Sequence, residues 1–318
     1  MKSVYYKYSD FLKHIYGEKV YKLPVSLSVS CPNRLNGRNG CSYCGEKGAG
    51  FETLSCAFDI SAQLSANREY MGKRYNARKF IAYFQNYTNT FLPLEDFKRY
   101  MQQVAKEDVV EIAISTRPDC INEQYLAVLK DISDDTGINI TIELGLQTTN
   151  PNTLKAVERG HTLAEYIDAV LSIKKFRFFI CTHMMLNLPG DTMEDVIEGA
   201  KVISVLGSDF VKLHALYIVK GTKMAEQYEK GEFEICPPEE YKKRVIEFLR
   251  HLDPGIAVER IIGRAPEEDT LFSNWNMSWW KIRDEIESYM LDNGIYQGDK
   301  FDYTGGKALK VFNKERKI

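Results

Sequence analysis

Residues 138–186 read INITIELGLQTTNPNTLKAVERGHTLAEYIDAVLSIKKFRFFICTHMML. The β-branched run Ile138 to Leu146 predicts a strand, and Phe178 to Leu186 predicts a second. Between them Leu163, Tyr166, Ile167, Val170 and Leu171 recur at i, i+3, i+4, i+7 and i+8, which places them on one face of a helix. Thr162 with Glu165 three positions later forms a capping box at its start. Strand, helix and strand in this order pair the two strands in parallel through a right-handed crossover.

The same reading extends outward. Val25 to Ser30, Phe80 to Gln85, Val109 to Ser115 and Phe210 to Val219 are further strand candidates, and Met193, Val196, Ile197 and Ala200 repeat the helical spacing after Thr192 and Asp195. Six strands at a pitch of about thirty residues are too few for a closed eight-unit barrel, so the expected class is α/β with a partial (β/α)6 barrel, and a doubly wound sheet is the alternative. In either arrangement the working side is the set of strand carboxyl ends. Cys31, the stretch Gln85 to Thr90, Ser115 to Asp119, Gln147-Thr148, Asn187 to Asp191 and Lys220 to Thr222 each follow one of these strands and converge on one rim. The expected organisation is an N-terminal basic and aromatic extension over 1–24, the barrel over 25–230, and a C-terminal helical extension with a basic tail over 231–318.

The chain has 318 residues, 44% hydrophobic and 27% charged, which excludes disorder, collagen and a disulfide-stapled miniprotein. No apolar run approaches the roughly 20 residues of a membrane helix and no leader-like segment opens the chain, so a cytoplasmic location is expected. The net charge of −2 supplies no global field for nucleic acid, and any such contact needs a local patch. The first 24 residues offer one, with five lysines against two acids and Tyr5, Tyr6, Tyr8, Tyr16 and Tyr21 interleaved. Arg34, Arg38 and the basic tail offer others.

Seven cysteines include one tight group, Cys31, Cys41 and Cys44, spaced C-x9-C-x2-C in a loop rich in glycine and asparagine. Thiolates are soft ligands, the last pair can reach one metal centre, and Gly37 and Gly40 let the loop bring the third inward. Three is the informative number: a structural zinc site takes four protein ligands, whereas a [4Fe-4S] cluster held by three cysteines keeps one iron open. Completion of a zinc site by Cys56 or His14 is the competing reading. Cys56, Cys120, Cys181 and Cys236 read as small apolar fillers.

These residues resemble the radical S-adenosylmethionine superfamily, in particular the branch of the elongator catalytic subunit and the oxygen-independent coproporphyrinogen oxidase. The long first gap between cysteines, Tyr43 before the last of them, Glu143 to Gln147, Arg159 to Thr162, Leu188-Pro189-Gly190 and Gly221-Thr222 carry the likeness over roughly residues 25–222. Cys31 to Arg34, Tyr83-Phe84-Gln85 with Thr88-Asn89-Thr90, and Trp279-Trp280 resemble the small stand-alone elongator-like bacterial family, some members of which act on the wobble uridine of transfer RNA.

The resemblance implies a radical SAM partial barrel with a [4Fe-4S] cluster on Cys31, Cys41 and Cys44. It implies S-adenosylmethionine as cofactor, a reducing partner such as flavodoxin or ferredoxin, and a transfer RNA substrate whose carboxymethylaminomethyl group becomes aminomethyl. Tyr43 then lies near adenine. Gln85, Tyr87 and Asn89 stand where relatives carry a Gly-Gly-Glu or Gly-Gly-Thr stretch for the methionine amino group, and this sequence departs from that stretch. Arg159, twelve residues after Gln147, suits the methionine carboxylate. Gln147, Glu143 and His183 fall where ribose or adenine contacts are expected, with a pairing of Glu143 to Arg159 or Arg117 as the alternative. Ser115 and Arg117 replace a glutamate of the coproporphyrinogen relative, and His161 and His214 read as structural. The competing functions are a radical enzyme acting on a small metabolite or peptide, and a zinc-bearing, noncatalytic RNA-binding module.

Overall fold

The computed structural model describes residues 3–46, 53–263 and 268–313. Seven strands form one parallel sheet in the order β1 (Val20–Val25), β2 (Lys79–Phe84), β3 (Val109–Thr116), β4 (Asn139–Gln147), β5 (Phe179–Met185), β6 (Phe210–His214) and β8 (Ala257–Arg260). A short antiparallel pair, β7 (Ile218–Val219) with β9 (Thr270–Phe272), stands apart from it. The helices are α1 (Tyr8–Tyr16), α2 (Ile60–Tyr75), α3 (Leu94–Val104), α4 (Glu123–Thr136), α5 (Pro151–Ala156), α6 (Leu163–Lys175), α7 (Met193–Leu206), α8 (Lys223–Glu229), α9 (Pro238–His251), α10 (Trp279–Asp292) and α11 (Lys310–Asn313). Both expected capping boxes form, at Thr162/Glu165 and Thr192/Asp195.

The sheet curls until its edges meet. Six strand spacings of about 4.8 Å would hold β1 and β8 about 29 Å apart in a flat sheet. Yet Lys22 on β1 and Glu259 on β8 form an ion pair at 2.8 Å, and Lys7 bridges to Val258. The fold is therefore a partial α/β barrel. Alternate strand residues divide between two cores: Phe84, Ile112, Ile142, Ile180 and Val211 pack outward against the helices, while Ile81, Tyr83, Ala113, Cys181 and Phe210 point inward.

The lower end of the barrel is stoppered by α1. Tyr8 and Leu12 are buried in the inner core, Phe11 packs edge-on against Phe210 with ring centres 4.6 Å apart, and the Tyr16 hydroxyl donates to Glu111 Oε2 at 2.7 Å. The lysine and tyrosine segment over the first 24 residues reads as a patch for RNA or, in the plainer account, as solvated surface with buried aromatics. Tyr8 and Tyr16 serve the barrel interior, because a half-closed barrel needs apolar volume at its foot, and Tyr5 packs in the outer core with its hydroxyl donating to Glu287 Oε1 at 2.6 Å.

Three strand boundaries differ from expectation. The first strand is Val20–Val25 rather than Val25 to Ser30; Pro24 is tolerated within it because β1 is an edge strand. The run Phe210 to Val219 breaks after His214 and resumes as β7. A seventh sheet strand, β8, lies within the C-terminal part read as helical. The basic tail holds a short turn at Lys307–Leu309 and α11, and 314–318 lie outside the described residues. Among the described residues no helix is long and apolar enough to cross a membrane.

Candidate active site

The strand carboxyl ends surround a cavity of about 400 Å³. Its wall includes all three grouped cysteines together with Tyr43, Gln85, Tyr87, Ser115, Glu143, Gln147, Arg159 and His183, eight of the nine residues expected to contact S-adenosylmethionine. Asn89 is the exception. It is fully buried, and its side-chain nitrogen donates to the carbonyls of Phe84, Asn86 and Ser115, so it shapes the loop after β2 and is absent from the cavity wall.

The cysteine loop is folded by its own backbone and pinned at both sides. Cys44 N–H donates to Cys41 O at 2.9 Å and Gly40 N–H to Asn33 O at 3.1 Å. Ser42 bonds Val157 through its N–H and Met224 through its carbonyl. Gly40 adopts φ 97, and a Cβ there would press on the Arg34 guanidinium at 3.3 Å, so only glycine fits. No disulfide joins the three thiols.

Each thiol faces a guanidinium. Arg159 Nη1 lies 3.5 Å from Cys41 Sγ, Arg34 Nη2 lies 3.8 Å from Cys44 Sγ, and Arg117 Nη1 lies 4.0 Å from Cys31 Sγ. Asn33 Nδ2 adds a contact to Cys41 Sγ at 3.3 Å. Burial opposes a Cys41 thiolate, but Arg159 and Asn33 bring that thiol below its ordinary value; burial leaves Cys44 above it. The Nε atoms of Arg34 and Arg159 are buried without a partner among the described residues. Three unpaired thiols, cationic donors aimed at their sulfurs and spare N–H groups beside a cavity fit a three-cysteine iron–sulfur centre.

Arg159 is also held from behind. Its Nη2 donates to Gly145 O at 2.7 Å, and His161 Nε2 meets the same carbonyl at 3.0 Å. Arg117 pairs with Asp119 at 2.7 Å and donates to Arg159 O. Gln147 reaches the cavity from a register slip between β4 and β5, with φ at 77, a strained backbone of the kind that re-aims a side chain beside a site.

Below the cavity lies a charged layer that the sequence reading missed. Glu143 Oε1 pairs with Lys22 at 2.7 Å, and its Oε2 takes His183 Nε2 at 2.8 Å, the Tyr83 hydroxyl at 2.9 Å and Lys212 Nζ at 3.4 Å. Glu259 closes the layer with Lys212 and Lys22, both at 2.8 Å. Burial would raise the Glu143 carboxyl, yet Lys212 and Lys22 hold it well below the usual range. The alternative pairing of Glu143 with Arg159 or Arg117 does not occur. Part of the signal was present in the sequence: Glu111 and Glu143 are charges set inside expected apolar strands, at the inward phase of a period of two. His214, read as structural, lines the cavity beside Arg260, which sequence reasoning did not single out. Cys181 is a buried filler as expected, whereas Cys56 is exposed.

A sequence profile of the Radical SAM superfamily matches residues 25–203, and one of the Radical_SAM C-terminal domain matches 208–292. An uncharacterized protein of Methanocaldococcus jannaschii is 31% identical over 93% of this chain and 92% of its own length. A tRNA uridine(34) acetyltransferase of Methanocaldococcus infernus is 26% identical over 73% of this chain and 48% of its own. Among solved structures, the Elp3 protein of that archaeon, lacking its N-terminus, superposes with a TM-score of 0.66 at 19% identity, covering 87% of this chain and 64% of that one.

Proposed function

We propose that this chain, which belongs to the Radical SAM superfamily, binds a [4Fe-4S] cluster on Cys31, Cys41 and Cys44, takes S-adenosylmethionine into the adjoining cavity, and abstracts a hydrogen atom from a modified uridine of transfer RNA. When bound, such a cluster keeps one iron open to the amino and carboxylate groups of S-adenosylmethionine and supplies the electron that splits it into methionine and a 5′-deoxyadenosyl radical.

The chain's own residues position and shield. Arg159 is assigned to the methionine carboxylate, the carbonyls of Gln85 and Tyr87 to its amino group, and Tyr43, Gln147 and His183 to the nucleoside. Glu143 has both oxygens engaged, so its part is to hold His183 and Tyr83 at the wall, with Ser115 Oγ 3.3 Å away. Asn89 contributes by fixing the loop that carries Tyr87. The inward curl of the sheet and the α1 stopper keep water from the foot of the barrel, which protects a radical from side reactions.

The observation that carries this reading is the pairing of each of three free thiols with its own arginine at the cavity wall. Transfer RNA as substrate, with conversion of a carboxymethylaminomethyl to an aminomethyl group, is supported by the relative named for tRNA uridine 34. This chain spans about half of that relative, so acetyl transfer is not carried over. In anaerobic protein reconstituted with iron and sulfide, dithionite should yield methionine and 5′-deoxyadenosine in equal amounts, and protein that leaves S-adenosylmethionine intact refutes the reading. Nucleoside profiles of cells lacking the protein should accumulate the carboxymethylaminomethyl form; an unchanged profile removes the transfer RNA substrate.

A further inference from the structure

Among the described residues, the cavity contains one guanidinium that faces neither a cysteine nor a carboxylate. Arg260 ends β8 at the strand end that looks into the cavity, and its Nη2 lies 2.7 Å from His214 Nδ1. A guanidinium only donates, so His214 accepts at that contact. Burial first, and then the Arg260 charge, push the His214 ring well below its ordinary pKa, so the imidazole stays neutral and braces Arg260 without cancelling its charge. On another side Gly263 closes over the guanidinium, where a Cβ would come within 3.0 Å of Arg260 Cζ. Arg260 Nε is buried and has no partner among the described residues.

The carboxylates around the cavity already have cationic partners, and the other guanidinium groups face thiols. Lys22 and Lys212 answer Glu143 and Glu259, Arg117 answers Asp119, and Arg34 and Arg159 face sulfur. His183 and His214 are both depressed by burial. Among the described residues Arg260 meets neither a thiol nor a carboxylate, and it stands in a partly enclosed space where Coulomb attraction is stronger than in bulk water. A planar guanidinium held at a fixed angle matches the two oxygens of a carboxylate.

We propose that Arg260, braced by His214, recognises a carboxylate on the substrate that enters the cavity beside the cysteines. The inference rests on the radical reading of this cavity and deepens it by naming the substrate's anionic group and the residue that reads it. A carboxymethylaminomethyl arm ends in a carboxylate and an aminomethyl arm does not, so the same contact separates substrate from product.

The test uses the reconstituted protein saturated with S-adenosylmethionine under anaerobic conditions. The probes are 5-carboxymethylaminomethyluridine and its carboxamide, which differ in charge and little in shape, and binding is read by calorimetry. Wild type should prefer the carboxylate by about tenfold or more. Arg260→Gln should abolish the preference and Arg260→Lys should keep part of it, with iron content and S-adenosylmethionine affinity unchanged in both. The proposal is overturned if wild type shows no preference, binding of neither probe included, or if Arg260→Gln keeps it. It is overturned too if Arg260→Gln instead weakens S-adenosylmethionine. Because the preference is an equilibrium reading, it stands apart from the radical chemistry, which fails when no deoxyadenosine forms, and from the transfer RNA substrate, which fails on nucleoside profiles.

Discussion

Gly145 leaves the space that Arg159 fills: Arg159 Nη2 donates to Gly145 O at 2.7 Å, and a Cβ on Gly145 would lie 2.6 Å from that same nitrogen. The glycine is required for room rather than for an unusual φ. Gly145→Ala should push the guanidinium out of its slot while leaving the cysteine loop, which is tied to Val157 and Met224, in place. The expected result is retained iron with an S-adenosylmethionine dissociation constant raised about tenfold, and Arg159→Ala should act in the same direction. Anaerobic calorimetry decides it; unchanged affinity in both variants would take Arg159 away from the cofactor.

The three-ligand count makes a sharper demand. Cys31→Ala, Cys41→Ala and Cys44→Ala should each lose the brown chromophore and the iron, about four atoms per chain, after reconstitution. Cys56→Ala should keep both, since Cys56 is exposed and absent from the cavity wall, and so should Cys236→Ala. Iron loss in Cys56→Ala would identify a fourth protein ligand and close the coordination site on which the chemistry depends.

Periodicity made the outer core legible, because residues that pack against helices obey the plain alternation of a buried strand; β2 to β6 lie within a residue or so of their expected starts. It failed where strands are short or interrupted. Ala257–Arg260 is four residues between turn formers, and Pro24 disguised β1. The site was legible at the cysteines and along the strand ends, where chemistry and topology coincide. The charged layer was not, since Lys22, Lys212 and Glu259 each look like a solvated surface residue in isolation. Only the curl of the sheet brings β1, β4, β6 and β8 into one interior, and that closure is a tertiary fact. Asn89 stands apart from the cavity wall: three backbone carbonyls hold its amide nitrogen, while its Oδ1 is buried with no partner among the described residues.

The α1 stopper separates stability from the site. Leu12 is buried among inward residues at the foot of the barrel, remote in sequence from every cavity residue. Leu12→Ala should cost about 2–3 kcal/mol through lost apolar contact and a residual cavity. The denaturant midpoint should fall accordingly, while iron content and deoxyadenosine release in folded protein stay at the wild-type level. A variant that keeps its midpoint would mean that α1 is not packed as described.

His161 should make stability depend on pH. The ring is buried behind Gly145 and close to Arg159, and burial followed by the Arg159 charge lowers its pKa from 6.5 to about 4. In the unfolded chain His161 takes up a proton below pH 6.5, whereas the folded ring resists until about 4. Between those values the unfolded state binds more protons, so stability falls as the pH drops through that window and levels off below it. The full effect is on the order of 3 kcal/mol, because each pKa unit is worth about 1.4 kcal/mol. Urea midpoints between about pH 7.5 and 5 should fall more steeply in wild type than in His161→Gln, whose amide can still donate to the Gly145 carbonyl but does not titrate. Parallel curves for the two proteins would show that the fold does not resist this proton.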